Sequence, residues 1–195
     1  IYLNKGDAAK ALDYSQKSLA IRKQTGDRKG ISASLNNIGS AYEKMDDQNN
    51  GDYTRALKYY FEAFEIRKAI NDKNAVARSY NSIGAIYFKQ KKYALALENG
   101  KEGYKLCKEL GFPMQISAAA KLLYKIYKQI NKPVDALEMH ELFIHMRDSI
   151  NNEETRKSST KKQFQYEYDK KVTADSVRIS EEKKLVAVKL QQEQT

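Results

Sequence analysis

The chain has 195 residues, 41% of them apolar and 31% charged, with one cysteine, two prolines and a formal net charge of +10. A lone cysteine excludes an internal disulfide framework, and no apolar run approaches the roughly 18 residues of a membrane span. The positive charge is spread: residues 1–150 hold 25 basic and 17 acidic residues and residues 151–195 hold 10 and 8, with no dense basic block or aromatic-basic interleaving, which argues against a nucleic-acid partner.

The N-terminal segment supplies the end of one helix around Tyr2 and a second helix predicted over Ala8–Thr25. A helix from Asp27 to about Met45 follows, then a turn-rich stretch, Asp46 to Asp52, that carries a five-residue insertion near Asp47–Gly51. That stretch lacks the regular ligand positions of an EF-hand loop, so no metal site is expected there. The helix expected over Tyr53–Ile70 carries an aromatic stripe of Tyr53, Tyr59, Tyr60, Phe61 and Phe64, which reads as packing. A helix pair over Ala75–Gly111 is followed by helices over Met114–Ile130 and Pro133–Ile150. Pro113 and Pro133 fall at helix starts, where a missing N–H is tolerated. His140 and His145 lie five apart and do not share a face as a metal-binding pair would. Cys107, beside Leu106, is expected to be a half-buried structural thiol.

These helices repeat in register. An apolar residue stands four before a tyrosine at Ile38/Tyr42, Ile83/Tyr87 and Leu123/Tyr127, and Tyr2 opens a truncated copy. Nine residues after the tyrosine comes Ala-Leu, at Ala11-Leu12, Ala96-Leu97 and Ala136-Leu137, and at Ala56-Leu57 once the insertion is allowed. Ten further on stands Ile21, Ile66, Leu106 or Met146. Five beyond that is Gly26, Asn71, Gly111 or Asn151, residue types that tolerate the left-handed turn closing a helix. The copies are 40 residues apart, or 45 across the insertion. Gly39 and Gly84 beside the apolar anchor admit a neighbouring helix, and the tyrosine fills the space that small residues leave. One such hairpin cannot bury both its apolar faces, so the copies must stack.

The order of Ile83, Gly84, Tyr87 and Ala96 resembles the tetratricopeptide repeat over residues 1–151. Tyr124 stands where the small glycine would sit, there is no tryptophan, and no proline ends the second helix. The long spacing looks like the variant found in kinesin light chains, polarity adaptors and bacterial peptide-sensing regulators. The resemblance implies an all-α fold: a right-handed superhelical solenoid of antiparallel helix pairs, here with a long C-terminal helix. It comprises a truncated first repeat plus three full repeats in 1–151, a capping helix over 152–171 and a charged helix over 172–195. Phe164 and Tyr168 repeat the anchor step in the cap, and Val172, Ile179 and Val186 give a weak heptad. The segment from Lys161 to Thr195 holds neither glycine nor proline.

No nucleophile elbow, phosphate-cradling loop, zinc-protease helix or cysteine pair is present, so neither catalysis nor a cofactor is expected. Binding is the use the fold suggests, with the first helices lining a concave groove. Projection from the buried anchors turns Asn36, Asn37, Ser40, Arg78, Asn81, Ser82, Lys121 and Lys125 toward it. Carboxamides and hydroxyls both donate to and accept from an extended peptide, and cations hold carboxylates. By similarity to kinesin light chains, Asn37 faces the ligand, with Ser82 at the same column. The expected partner is therefore a protein or peptide.

The layout also resembles the N-terminal part of repeat-containing sensor histidine kinases and nucleotide cyclases. That implies a fragment of a longer membrane protein, since the chain opens at Ile1-Tyr2 inside a helix. The repeats would then lie outside the cytoplasmic membrane, and any membrane segment would lie outside this fragment. The alternative is a freestanding cytoplasmic scaffold or peptide-responsive regulator that forms a homodimer through its C-terminal helix.

Overall fold

The computed structural model describes residues 8–48, 53–154, 156–157, 168, 172 and 175–176. Six helices are α1 (Ala8–Gln24), α2 (Arg28–Gln48), α3 (Thr54–Ala69), α4 (Lys73–Lys89), α5 (Tyr93–Leu110) and α6 (Pro113–Gln129). A seventh, α7, runs over residues 133–154. The chain divides into two compact units, Ile1–Asp148 and Ser149–Thr195. No strand occurs among the described residues. The fold is an all-α solenoid of antiparallel helix pairs. Each helix from α1 to α6 packs on its neighbour in the chain, and α4 also touches α6.

The repeated columns make the core. Ile38, Ile83 and Leu123 are each 1% exposed, and Ala56 and Ala96 are fully buried. Burying such aliphatic side chains stabilises a fold by about 1.5–3 kcal/mol each. Tyr60, Phe64, Ile83 and Ile86 form one cluster, with Tyr42 and Tyr87 packed against it. Leu123, Tyr127, Ala136 and Met139 form another. At Gly39 an added Cβ would lie 2.8 Å from the Tyr60 ring, and at Gly84 it would lie 3.1 Å from Leu122 Cδ2. Both positions are helix contacts rather than turns.

The turns follow the expected residue types for three copies. Gly26 (φ 68°), Asn71 (φ 56°) and Gly111 (φ 71°) adopt the left-handed region. After α3 the chain closes in paired bonds: Asn71 N–H donates to Lys68 O and Asp72 N–H to Arg67 O, both at 3.0 Å. Lys91 (φ 60°) and Asn131 (φ 55°) make the turns inside the helix pairs. Asp72 then caps α4, its side chain accepting from Ala75 N–H.

Several expectations are corrected. Asn151 does not end a helix, because α7 continues through it to 154. Asp46 and Asp47 lie in α2 rather than in a loop. The helix extends because Asp46, 2% exposed, bonds to Arg55 on α3 at 2.9 Å. Cys107 is fully buried rather than half-buried, and burial pushes its thiol pKa up. The column residues Ile21 and Leu137, at 61% and 59% exposed, lie outside the core. Tyr2, Asn49–Asp52, Phe164, Ile179 and Val186 lie outside the described residues, as does most of the expected cap and charged helix.

Candidate functional site: a cleft across the first helices

The small residues that bring helices together also set polar side chains beside one another. On α2, Ile38 and Leu35 turn into the core, which leaves Asn37 exposed and Asn36 half-buried. On α4, Ile83 and Ile86 do the same, so that Arg78 is exposed and Asn81 and Ser82 are half-buried. These five residues line one cleft of about 500 Å³, which Met114, Gln115 and Ala118 of α6 close on a third side. Three first helices therefore contribute to it, as does one residue of a second helix, Arg67 of α3. The charged residues lining it, Arg67 and Arg78, are both cations.

Three of the residues projected to the groove lie elsewhere. Ser40 stands beside the buried Tyr60 hydroxyl at the α2–α3 contact and does not line the cleft. Lys121 stands over the Phe143 ring, 5.4 Å from its centroid. Lys125 is exposed and does not line the cleft. Asn81 is less free than its projection suggested. Its Oδ1 is buried without a hydrogen-bond partner, and a Cβ on Gly103 of α5 would lie 2.9 Å from it.

Arg67 is the residue that helix projection missed. It is 4% exposed, and its Nη1 donates to Ser79 Oγ (2.7 Å) and Ala75 O (3.3 Å) on α4 and to Asn36 Oδ1 (3.1 Å) on α2. Burial, then the nearby charge of Arg78, lower its pKa, and Asp72 opposes this. A faint signal was present in the repeat, since Arg22 occupies the same column 45 residues earlier. Arg22 Nη1 likewise donates to a first-helix carbonyl, Gly30 O, at 2.6 Å.

A second polar cluster ties α2, α3 and α4 together. Lys89 bonds Glu43 at 2.8 Å and Asp47 at 2.7 Å. Tyr53 donates to Asp47 at 2.6 Å and Tyr60 to Glu43 at 2.7 Å. Burial raises the Asp47 pKa, but bonds from Lys89 and Tyr53 outweigh it and hold the carboxyl below its ordinary range. Every charged group here bonds to a partner inside the chain, which marks the cluster as structural. No group of His, Cys, Asp or Glu suited to a metal occurs among the described residues.

A stack of helix pairs with an open polar cleft across its first helices belongs to the helical-repeat solenoids. Within that class, residues 47–109 match the family described as Tetratricopeptide repeat. Among solved structures the chain is similar to the crystal structure of BtubC (BKLC) from P. vanneervenii. That likeness has a TM-score of 0.62 at 20% identity and covers 75% of this chain and 59% of that one. It is also similar to a Rap protein complexed with Competence and Sporulation Factor, with a TM-score of 0.62 at 18% identity. There it covers 71% of this chain and 38% of the other. This chain thus spans less than two thirds of either neighbour, and at these identities the likeness is one of fold. No curated protein matches it.

Proposed function

We propose that the chain is a non-catalytic module that holds a protein or peptide segment in the cleft across α2, α4 and α6. The observation that carries this reading is the cleft itself. It brings two free donor-acceptor side chains, Asn37 and Ser82, beside two arginines in one open cleft. Neither Asn37 nor Ser82 makes a side-chain hydrogen bond among the described residues, so both remain available to a peptide backbone. The Rap structure, solved with Competence and Sporulation Factor, offers a precedent for ligand binding by this fold.

The test is selection of random peptides displayed against the full chain, followed by binding to cleft variants. Selected peptides should bind wild type at about micromolar Kd and lose about tenfold on Asn37→Ala. Peptides indifferent to Asn37→Ala and Arg78→Gln would place recognition elsewhere and remove this reading.

The wider role we propose is that of a sensory part of a larger signalling protein of the histidine kinase or nucleotide cyclase type, with the repeats outside the cytoplasmic membrane. The glycine- and proline-free run from Lys161 to Thr195 supports a helix passing ligand-induced shifts onward. Sequence of the parent gene beyond Thr195 tests it. An apolar stretch of about 20 residues and an output domain support the sensor. A stop codon would favour the cytoplasmic scaffold instead, whose dimerisation should then vanish on deleting Lys170–Thr195.

A further inference from the structure

We propose that the insertion after Tyr42 lengthens α2 to build a clasp, Lys89 of α4 against Glu43 and Asp47 of α2, that closes one end of the cleft and sets the spacing of its α2 and α4 walls. Lys89 is thereby a positioning residue for the bound segment, and this role rests on the peptide-binding reading above. In the other copies the chain turns four residues after the repeat tyrosine, at Lys91 and Asn131, each with positive φ. Four residues after Tyr42 stands Asp46, and there α2 continues as helix to Gln48. The longer helix carries Asp47, where the next copy already has Lys92 at the start of α5.

The clasp stands on the faces that form the cleft. An α-helix presents the same face again after about seven and about eleven residues, two and three turns on. Glu43 and Asp47 lie at those two steps beyond Asn36, and Lys89 lies at them beyond Ser82 and Arg78. Each clasp residue therefore continues a cleft-lining stripe, roughly 10 Å or more along its helix. Lys89 Nζ donates to Glu43 Oε1 at 2.8 Å and to Asp47 Oδ2 at 2.7 Å. Both acids are fixed in turn, Glu43 by the Tyr60 hydroxyl and Asp47 by that of Tyr53.

Little else holds these two walls together. The helix α4 packs directly on α6, whereas α2 and α4 form no such packed pair. Both rest on α3, and side chains join them: Arg67 bonds Asn36 and Ser79 at the cleft, and the clasp ties them beyond it. The α4–α6 pair has no counterpart. Phe88 and Lys92 stand at the columns of Glu43 and Asp47, and Gln129 stands at that of Lys89. An ammonium on a long flexible stem spans a gap that the two backbones leave open.

The experiment measures the α2–α4 distance in the full chain by double electron–electron resonance. Nitroxides are attached at Lys44→Cys and Lys91→Cys, next to the clasp in sequence and outside the cleft, in a Cys107→Ala background. Lys89→Met should lengthen and broaden the distance distribution, and Lys89→Arg should keep it as in wild type. A peptide selected by display should bind unlabelled Lys89→Met about threefold more weakly, because fewer molecules hold the competent spacing. Lys89→Arg should bind it as wild type does. Lys17→Met, which removes an exposed ion pair on α1, should change neither reading. Asp47→Asn leaves Lys89 in place, should shift both readings in the same direction, and tests the clasp even if Lys89→Met fails to fold. An unchanged distance in both variants overturns the clasp, and a changed distance with unchanged affinity overturns its hold on the cleft. The distance needs no ligand, so it is read whether or not the peptide reading survives displayed peptides and Asn37→Ala.

Discussion

Arg67 is a buried cation whose charge the fold does not neutralise. Arg67→Met keeps most of the length and removes the charge. Ser79 can then bond back to the Ala75 carbonyl, and the Asn36 amide can turn to solvent. Replacing an ill-compensated buried charge by a well-packed apolar side chain is often neutral or stabilising. We expect Arg67→Met to change stability by about 1 kcal/mol or less in urea unfolding. A loss above about 3 kcal/mol would instead mark Arg67 as a structural strap. Lys89 has the opposite character, because each of its bonds ends on a charge. Burial lowers its pKa, but bonds to Asp47 and Glu43 outweigh it and raise the pKa above 10.5. Its contribution is complete below 10.5 and is lost as pH rises through the raised folded value. The lowered Asp47 contributes fully above 3.8 and is lost as pH falls through its folded value. With side chains 31% and 40% exposed, solvent screens the pair to about 1 kcal/mol. Lys89→Met should therefore lower stability by about that amount near neutrality and by less at both extremes, as thermal melts at several pH values would record.

At the scale of the helix, contact glycines and turn residues decide how pairs close. A methyl at Gly39 meets the Tyr60 ring at 2.8 Å, and Tyr60 is held by its bond to Glu43. At Gly84 the methyl meets Leu122 Cδ2 at 3.1 Å, and Leu122 can yield by a small rotation. Gly39→Ala should thus cost about 2 kcal/mol and Gly84→Ala clearly less, while Gly84→Leu overpacks the contact by about 1–3 kcal/mol. Urea midpoints measured side by side give the order. The turn after α4 offers the reverse test. Lys91 holds φ 60°, where a Cβ is unfavourable and its side chain is exposed. Lys91→Gly should stabilise the chain by about 1 kcal/mol, read as an increase in melting temperature.

Over the repeat array, stability is a sum of neighbour contacts and is lowest where a helix has one neighbour. No residue of α1 is buried, whereas α4 and α6 bury six and seven residues. Hydrogen exchange followed by mass spectrometry should show α1 exchanging first and α4 to α6 last. Uniform protection from α1 to α6 would mean that the unit opens as a whole. The cleft spans α2, α4 and α6, so peptide binding should slow exchange in α2 more than in α1.

The repeat, the helix pairs and the anchors at Ile38, Ile83 and Leu123 were legible in the sequence because burial imposes a period that side chains must obey. Gly26, Asn71 and Gly111 were legible for a similar reason, since few residue types accept positive φ. Asn151 carried the same letter without the same turn, because asparagine tolerates the left-handed region but does not require it. The site was legible only along each helix. Asn36, Asn37, Arg78, Asn81 and Ser82 meet in the cleft, but whether Ser40 turned to Tyr60 or Lys121 to Phe143 depended on partners 20 or more residues away. Arg67 shows the limit most clearly. It lies on a second helix, whereas the projection considered only first helices, and it reaches the cleft by bonding to both α2 and α4. Periodicity fixes which face of a helix is buried; only packing decides which long side chain crosses that boundary with its charge unmatched.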